Sequence, residues 1–244
     1  MRSSVNLKTV FRLIPARAYP AALNMAIDET LLDLAAKDPA FPPTLRFYLW
    51  ERPVITAGYF QDVSALTRLL SCREKSIEVI RRLTGGGMVL HKNDLTFSLV
   101  LRLPSPFVYG DVKDSYLKIN QALMTGLKEN YEGLDFADCR TVPSGRAGKD
   151  TRICFEKPSC YDLLWRGKKV VGASQRRRNG ALLHQSTVFM EGRSLELEKN
   201  ISKGFETLWG IEFEHADLTT EEIERARRIE EKRYHLPEWA FRIV

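Results

Sequence analysis

Apolar positions recur along the chain with two different periods, which together predict a mixture of helices and strands. Residues 19–37, YPAALNMAIDETLLDLAAK, and residues 112–129 place apolar side chains at helical spacing. The runs PTLRFYLW and PVITAGYF and most of residues 76–104 are rich in β-branched and aromatic residues, with glycines and turn residues between them. This part of the chain therefore predicts two long helices that cover a sheet.

The second half of the chain continues with short alternating segments and a charged tail. SCYDLLW, KKVVGASQRR and ALLHQSTVFM are joined by RG and RNG, which are typical of hairpin turns, so they predict an antiparallel meander. A capping pattern at Thr219 and Thr220 predicts a charged helix over residues 219–234. Strands mixed with a few long helices, without an internal repeat, indicate an α+β fold.

The charge of the chain limits the classes of partner. Lysine and arginine total 37 against 31 acidic residues, and this formal charge of +6 favours an acidic macromolecule. The excess is modest and lacks interleaved exposed aromatic residues, so we expect no nucleic acid partner. No window approaches the roughly 18 apolar residues of a membrane helix, and the N-terminus lacks the apolar core of a signal peptide. We therefore expect a cytoplasmic protein without membrane contact.

One candidate binding element is the glycine run in RRLTGGGMVLH, residues 81–91. Gly85, Gly86 and Gly87 allow the backbone to approach a ligand and direct several N–H groups at it, and Arg82 can add a positive charge. His91 can orient this loop or contact substrate, or it can simply be hydrogen-bonded in a turn. The alternative for the glycines is a β-bulge or tight loop. The spacing matches neither a P-loop nor a Rossmann fingerprint.

A second candidate lies in GKKVVGASQ, residues 167–175. If residues 168–175 form one strand, Lys169 shares a face with Ala173 and Gln175, and Lys168 points the other way. A lysine that points inward can shuttle a proton or hold an oxyanion, although lysines at a hairpin edge are usually solvated. The small residues Gly172 and Ala173 leave room for a ligand.

Four cysteines, Cys72, Cys139, Cys154 and Cys160, are irregularly spaced, and this spacing predicts neither a zinc cluster nor a disulfide framework. Cys154 follows the basic stretch GRAGKDTRI, which favours the thiolate, although most free cysteines are structural. Cys160 begins a predicted strand, so we expect a small buried side chain there. The histidine in LLHQS, His184, alternates with apolar residues and is expected in the core.

Four segments, NMAIDETLL, YLWERPVITAGYFQ, RRLTGGGMVLHKNDLTFS and KVVGASQ, occur in an order and at separations that resemble the biotin/lipoate protein ligase superfamily. The resemblance covers residues 10–235 and points to the branch of lipoate-protein ligase A and the cysteine-dependent octanoyltransferases. CFEKPSCYDLLWRGKKVVGASQ, residues 154–175, looks like the cysteine-dependent arrangement with Ala173 and Ser174 transposed, whereas the triple glycine is closer to the ligase pattern.

The resemblance implies mixed, largely antiparallel sheets flanked by helices. It implies a catalytic domain over residues 1–215, to which residues 216–244 add a C-terminal helical extension. The implied catalytic residues are Cys154 and Lys169. The implied substrate-binding residues are Arg82, Gly85, Gly86, Gly87, His91, Gly172, Ala173 and Gln175.

The implied activity is transfer of an octanoyl or lipoyl group through a Cys154 thioester. The donor would be acyl carrier protein, and the acceptor a lysine of a lipoyl-domain protein such as the glycine-cleavage H protein. The transferase needs neither metal nor another cofactor. The alternative is a lipoate-protein ligase that uses ATP and Mg to form lipoyl-adenylate, with a separate partner for its C-terminal domain. Arg176, Arg177 and Arg178 are candidate contacts to the acidic partners, or a solvated hairpin tip.

Overall fold

The structure is a computed structural model that describes residues 8–64, 77–140 and 158–241. Its elements in chain order are β1 (Val10–Tyr19), α1 (Ala21–Lys37), β2 (Thr44–Trp50), β3 (Val54–Ala57), β4 (Glu78–Arg81), β5 (Val89–His91), β6 (Leu95–Arg102), α2 (Val112–Leu127), β7 (Leu134–Phe136), β8 (Leu163–Trp165), β9 (Lys168–Lys169), β10 (Val171–Arg178), β11 (Ala181–Val188), α3 (Ser194–Trp209), β12 (Glu212–His215), α4 (Thr220–Ile229), a π-helical turn (Glu230–Tyr234) and α5 (Pro237–Ala240).

The main sheet has six strands in the order β10-β11-β6-β2-β1-β12. The first four strands pair antiparallel with one another, and β1 is parallel to both β2 and β12. Helix α1 covers one face and helices α2 and α3 cover the other. Successive strand residues point to opposite faces, so Leu182 packs with α2 and α3 whereas Leu183 packs with α1. The predicted α+β fold with mixed, largely antiparallel sheets is confirmed.

Two three-stranded sheets complete the described part of the chain. One has the order β4-β3-β5 and contains the glycine run in the connection from β4 to β5; the other has the order β7-β8-β9. The RG and RNG turns are confirmed, because Arg166, Gly167, Asn179 and Gly180 all have positive φ. Among the described residues, no helix has the length and apolar character needed to span a bilayer.

Helices α2 and α3 approach each other closely because glycines lie at their crossing. A Cβ on Gly126 would be 2.0 Å from Asn200 O, and one on Gly204 would be 2.1 Å from Ala122 O. Helix α3 was not predicted, although its side chains Leu197, Ile201 and Phe205 follow helical spacing and are buried. Strands β1, β7 and β12 were also not predicted from the pattern.

The segment after β12 packs against α1. Helix α4 begins at the predicted capping box, but the predicted single helix changes to a π-helical turn at Glu230. Glu29 of α1 accepts a hydrogen bond from the Tyr234 hydroxyl at 3.0 Å and is also ion-paired with Arg233. The π-helical turn, together with Arg178 of β10 at 3.5 Å, therefore neutralises a carboxylate that is buried in the core.

Candidate active site

A narrow cleft lies between the main sheet and the smaller sheet that carries the glycine run. Its lining comes from α1, from both sheets and from the loop after β4. The lining residues are Met25, Tyr48, Trp50, Thr56, Arg82, Val89, His91, Thr96, Gly172, Ala173, Ser174, Gln185 and Thr187. The cleft therefore brings together four of the predicted site residues, Arg82, His91, Gly172 and Ala173.

Arg82 holds the glycine loop in place from its inner side. Its guanidinium donates to Gly85 O at 2.6 Å, to Gly87 O at 2.8 Å and to Thr56 O at 3.0 Å. Gly86 lies between the two carbonyls with φ +84°, a backbone conformation that favours glycine. Arg82 is buried, so its charge has a fixed position in the cleft. The same guanidinium positions the loop through its hydrogen bonds.

The loop also rests directly on the end of β3. A Cβ on Gly58 would be 2.0 Å from Gly86 O, and the Tyr59 amide donates to Thr84 O at 2.8 Å. Close approach of two backbones requires glycine at this position. Sequence reasoning did not select Gly58 as part of the site, because its role depends on a contact 28 positions along the chain.

His91 is buried in a chain of hydrogen bonds that fixes its tautomer. Arg82 donates to Thr56 Oγ1 at 3.1 Å, so the Thr56 hydroxyl is free to donate to His91 Nε2 at 3.0 Å. His91 Nδ1–H then donates to Asp94 Oδ2 at 2.8 Å. Burial lowers the pKa of His91 and favours this neutral form. The ring packs against Trp50 with centroids 4.3 Å apart, so His91 forms a rigid wall of the cleft.

A second chain of hydrogen bonds crosses from the cleft to α1. Ser174 Oγ is 2.7 Å from Thr84 Oγ1, which is 2.6 Å from Gln185 Oε1, and Gln185 Nε2 is 2.7 Å from Asp28 Oδ2. Asp28 is 1% exposed and also accepts from Arg46 at 2.7 Å. Sequence reasoning did not predict the members of this hydrogen-bond chain, which are Ser174, Thr84, Gln185 and Asp28. The only available signal for Asp28 was a carboxylate inside the apolar run NMAIDETLL.

The strand that carries Gly172, Ala173 and Ser174 directs Gln175 away from the cleft. Gln175 Oε1 accepts from Ser115 Oγ at 3.1 Å, and Gln175 Nε2 is 3.0 Å from His184 Nδ1, both on the face covered by α2. His184 is a fully buried core histidine, as predicted, and burial lowers its pKa from 6.5 to about 3. Gln175 thus contacts the core, and the neighbouring Ser174 faces the cleft.

Lys169 is largely buried and ion-paired. Its Nζ is 2.7 Å from Asp162 Oδ2, and the two side chains are 5% and 10% exposed. Lys168 is exposed, so the two lysines differ as expected. The prediction that residues 168–175 form one strand was wrong, because β9 pairs with β8 in a separate sheet and Val170 interrupts the alternation before β10.

Cys154, the predicted nucleophile, lies outside the described residues. Cys139 and Cys160 are disulfide-bonded, with Cα atoms 4.5 Å apart. One disulfide therefore forms where the spacing predicted no disulfide framework. The expectation of a small buried side chain at Cys160 was wrong, because this residue is disulfide-bonded and only partly buried. The spacing of 21 residues gave no signal for this pair, because the contact arises only after the chain turns back from β7 toward β8.

The three arginines of the β10 hairpin have different surroundings. Arg176 lies 4.7 Å from the ring centroid of Tyr59, close to the glycine loop. Arg177 donates to Ser115 Oγ at 2.9 Å, and Arg178 is ion-paired with Asp33. Arg177 and Arg178 therefore both bind to side chains of the same protein. No group of three or more side chains suited to bind a metal ion occurs within the described ranges.

Comparison with known proteins gives consistent results. The family model of the lipoyl protein ligase A/B catalytic domain matches residues 20–207. The octanoyltransferase LipM of Moorella thermoacetica is 31% identical over 268 residues, covering 94% of this chain and 97% of that protein. LipM of Carboxydothermus hydrogenoformans is 32% identical over 273 residues, covering 95% and 98%.

A solved structure of a bi-partite lipoate protein ligase and its E2 lipoyl domain from Thermoplasma acidophilum is also similar. The TM-score is 0.72 at 20% identity, with 98% of each chain covered. This likeness concerns the fold, whereas the family model and the two relatives match the sequence over most of its length. The chain therefore belongs to the lipoyl protein ligase A/B catalytic domain family.

Proposed function

We propose that this protein is an octanoyltransferase. In the proposed reaction, the octanoyl group moves from acyl carrier protein to a Cys154 thioester and then to a lysine of a lipoyl-domain protein such as the glycine-cleavage H protein. The observation that carries the proposal is the similarity over nearly the whole chain to relatives named octanoyltransferase LipM, two of them 31% and 32% identical.

The cleft is suited to an acyl chain. Met25, Trp50 and Val89 supply apolar surface, and Gly172 and Ala173 leave space beside β10. Arg82, which also lines the cleft, holds the neighbouring glycine loop through Gly85 O and Gly87 O. We propose that the acyl chain binds here, where each methylene group that it buries would contribute about 0.8 kcal/mol.

Two acyl transfers account for the chemistry. The Cys154 thiolate attacks the thioester carbonyl carbon and the carrier thiolate leaves, which forms an acyl-enzyme. The amine of the acceptor lysine then attacks this carbonyl, the carbon–sulfur bond breaks, and the amine proton is transferred to the thiolate. The donor thioester is already activated, so we propose that neither ATP nor a metal ion takes part.

Lys169 is the proposed polar group that assists these transfers. Its ammonium is held by Asp162 at 2.7 Å and is only 5% exposed, so its charge acts in a region of low dielectric. A fixed ammonium can stabilise the oxyanion and deliver a proton to the leaving thiolate. Asp162 would then keep Lys169 oriented between the two transfers.

The test is formation of the acyl-enzyme without ATP. The full chain is incubated with octanoyl acyl carrier protein, and intact mass is measured before and after hydroxylamine treatment. The expected result is a single hydroxylamine-labile octanoyl adduct that is absent in Cys154→Ala and retained in the matched control Cys72→Ala. Absence of the adduct, together with ATP-dependent lipoylation of a lipoyl domain, would contradict the transferase and support a ligase.

A further inference from the structure

Asp28 begins a chain of hydrogen bonds that runs through Gln185 and Thr84 to Ser174 in the cleft, and it fixes which group donates in each of them. Asp28 is paired with Arg46, so its carboxylate only accepts hydrogen bonds. Gln185 must therefore turn its Nε2 donor toward Asp28, at 2.7 Å, and its Oε1 toward Thr84. The opposite amide orientation would place two acceptor oxygens against each other.

The directions of the hydrogen bonds made by the hydroxyl groups of Thr84 and Ser174 are then fixed as well. The Thr84 hydroxyl donates its hydrogen to Gln185 Oε1 at 2.6 Å, so it only accepts from Ser174 Oγ at 2.7 Å. Ser174 in turn has its hydrogen committed to Thr84. Its Oγ therefore presents only acceptor lone pairs to other groups.

Ser174 is also placed where substrate would bind. It lines the cleft next to Gly172 and Ala173, and a Cβ on Gly86 would be 3.7 Å from the Ser174 Cβ atom. The register of the β10–β11 ladder sets Ser174 opposite Gln185, which keeps the chain of hydrogen bonds short and rigid. The acceptor is thus preorganised at the level of the glycine loop.

We propose that Ser174 Oγ accepts a hydrogen bond from the attacking amine of the acceptor lysine. This inference rests on the proposed function and assigns the step in which Ser174 acts. A thioester carbonyl and its sulfur are hydrogen-bond acceptors, which a committed Ser174 cannot serve, whereas a neutral amine carries two N–H donors. One N–H donated to Ser174 Oγ fixes the amine and directs its lone pair toward the acyl carbon.

Ser174 does not receive the proton of the reaction. The nitrogen forms a bond to the acyl carbon, the carbon–sulfur bond breaks, and the proton released by the nitrogen ends on the enzyme thiolate. Ser174 contributes orientation alone, because its own hydrogen stays on Oγ and is donated to Thr84 throughout. This role is confined to the second transfer, since no amine takes part in the first.

The experiment measures the two transfers separately with the full chain. The rate of acyl-enzyme formation from octanoyl acyl carrier protein gives the first transfer. Chasing the isolated acyl-enzyme with a lipoyl-domain protein gives the second. For Ser174→Ala we expect an unchanged first rate and a second rate about tenfold lower, the size expected for loss of one hydrogen bond.

Two further variants provide the controls. Ser174→Thr keeps Oγ and should restore most of the second rate. Ser186→Ala makes the same change on the opposite face of the sheet, where the serine bonds to His184, and should leave both rates unchanged. Thr84→Val is an independent test, because it releases the Ser174 hydrogen and should slow the second transfer selectively.

Several outcomes would overturn the assignment. Equal losses in both transfers would make Ser174 a structural residue, and a loss in the first transfer alone would place it against the donor. An unchanged rate of the second transfer in Ser174→Ala would overturn the assignment of Ser174 but leave the proposed function standing. A wild-type protein that forms no acyl-enzyme would overturn the proposed function, and this inference with it.

Discussion

Replacing Gly58 by alanine places a methyl group against the backbone of the glycine loop. The new Cβ would lie 2.0 Å from Gly86 O and 3.0 Å from Gly85 O, both of which are backbone atoms that cannot rotate away. Ordinary van der Waals contact begins at 3.4 Å. The loop must therefore move by about 1.4 Å or the end of β3 must bend.

The movement has a cost in stability and a larger cost in rate. Overpacking of this kind costs about 1–3 kcal/mol, and each kcal/mol lowers the melting temperature of a chain this long by about 2–4 °C. Displacement of a substrate-positioning group by about 1 Å costs about 100-fold in rate. We expect Gly58→Ala to fold, to melt several degrees lower, and to transfer octanoyl groups about 100-fold more slowly.

Gly85→Ala is the matched control for stability. A Cβ there meets nothing within 4 Å, and the backbone is not in the left-handed region, so the melting temperature should stay within about 2 °C of wild type. Thermal unfolding followed by circular dichroism, with the acyl-transfer assay on the same samples, compares the two variants. If Gly58→Ala melts like Gly85→Ala and transfers octanoyl groups at the wild-type rate, the loop is not held by this contact and the reasoning is wrong.

Three further predictions concern the helix crossing, the buried histidine and the lysines. Gly126→Ala should lower the free energy of unfolding in urea by about 1–3 kcal/mol, because its Cβ would meet Asn200 O; a gain from better helix propensity would contradict this packing. His184 has its pKa lowered to about 3, so below pH 6.5 the unfolded chain binds a proton that the folded protein does not. Stability should therefore fall by about 1.4 kcal/mol per pH unit from pH 6.5 toward 3, and urea titrations of His184→Gln should lack this part of the slope. Lys169→Ala should abolish octanoyl transfer whereas Lys168→Ala retains it, and equal activity of the two variants would exclude a role for the buried ion pair.

Local patterns in the sequence were enough to predict the elements that surround the cleft. The helix over residues 19–37, the β-rich runs and the glycine loop each depend on neighbours a few positions away, so periodicity and turn chemistry are sufficient. The same holds for His91 and Arg82, which belong to the glycine segment itself. The resemblance of four ordered segments then supplied the family.

Contacts between distant segments could not be predicted in this way. Asp28 and Ser174 join one hydrogen-bond chain only because the sheet register places Ser174 opposite Gln185, and no local pattern encodes that register. The alternation assigned to residues 168–175 failed for a related reason, since the chain changes sheets at Val170. The bond between Cys139 and Cys160 depends likewise on how two strands meet.

The π-helical turn also bears on how the molecule matures during synthesis. Arg233 and Tyr234 satisfy Glu29, the neighbour of Asp28 on α1, and they are translated about 200 residues after it. A nascent chain that has emerged only to β12 has every strand of the main sheet, but Glu29 remains without these partners. Glu29 therefore acquires its full set of partners only after the sheet has formed, and until then the cation beside it is Arg178 of β10, at 3.5 Å.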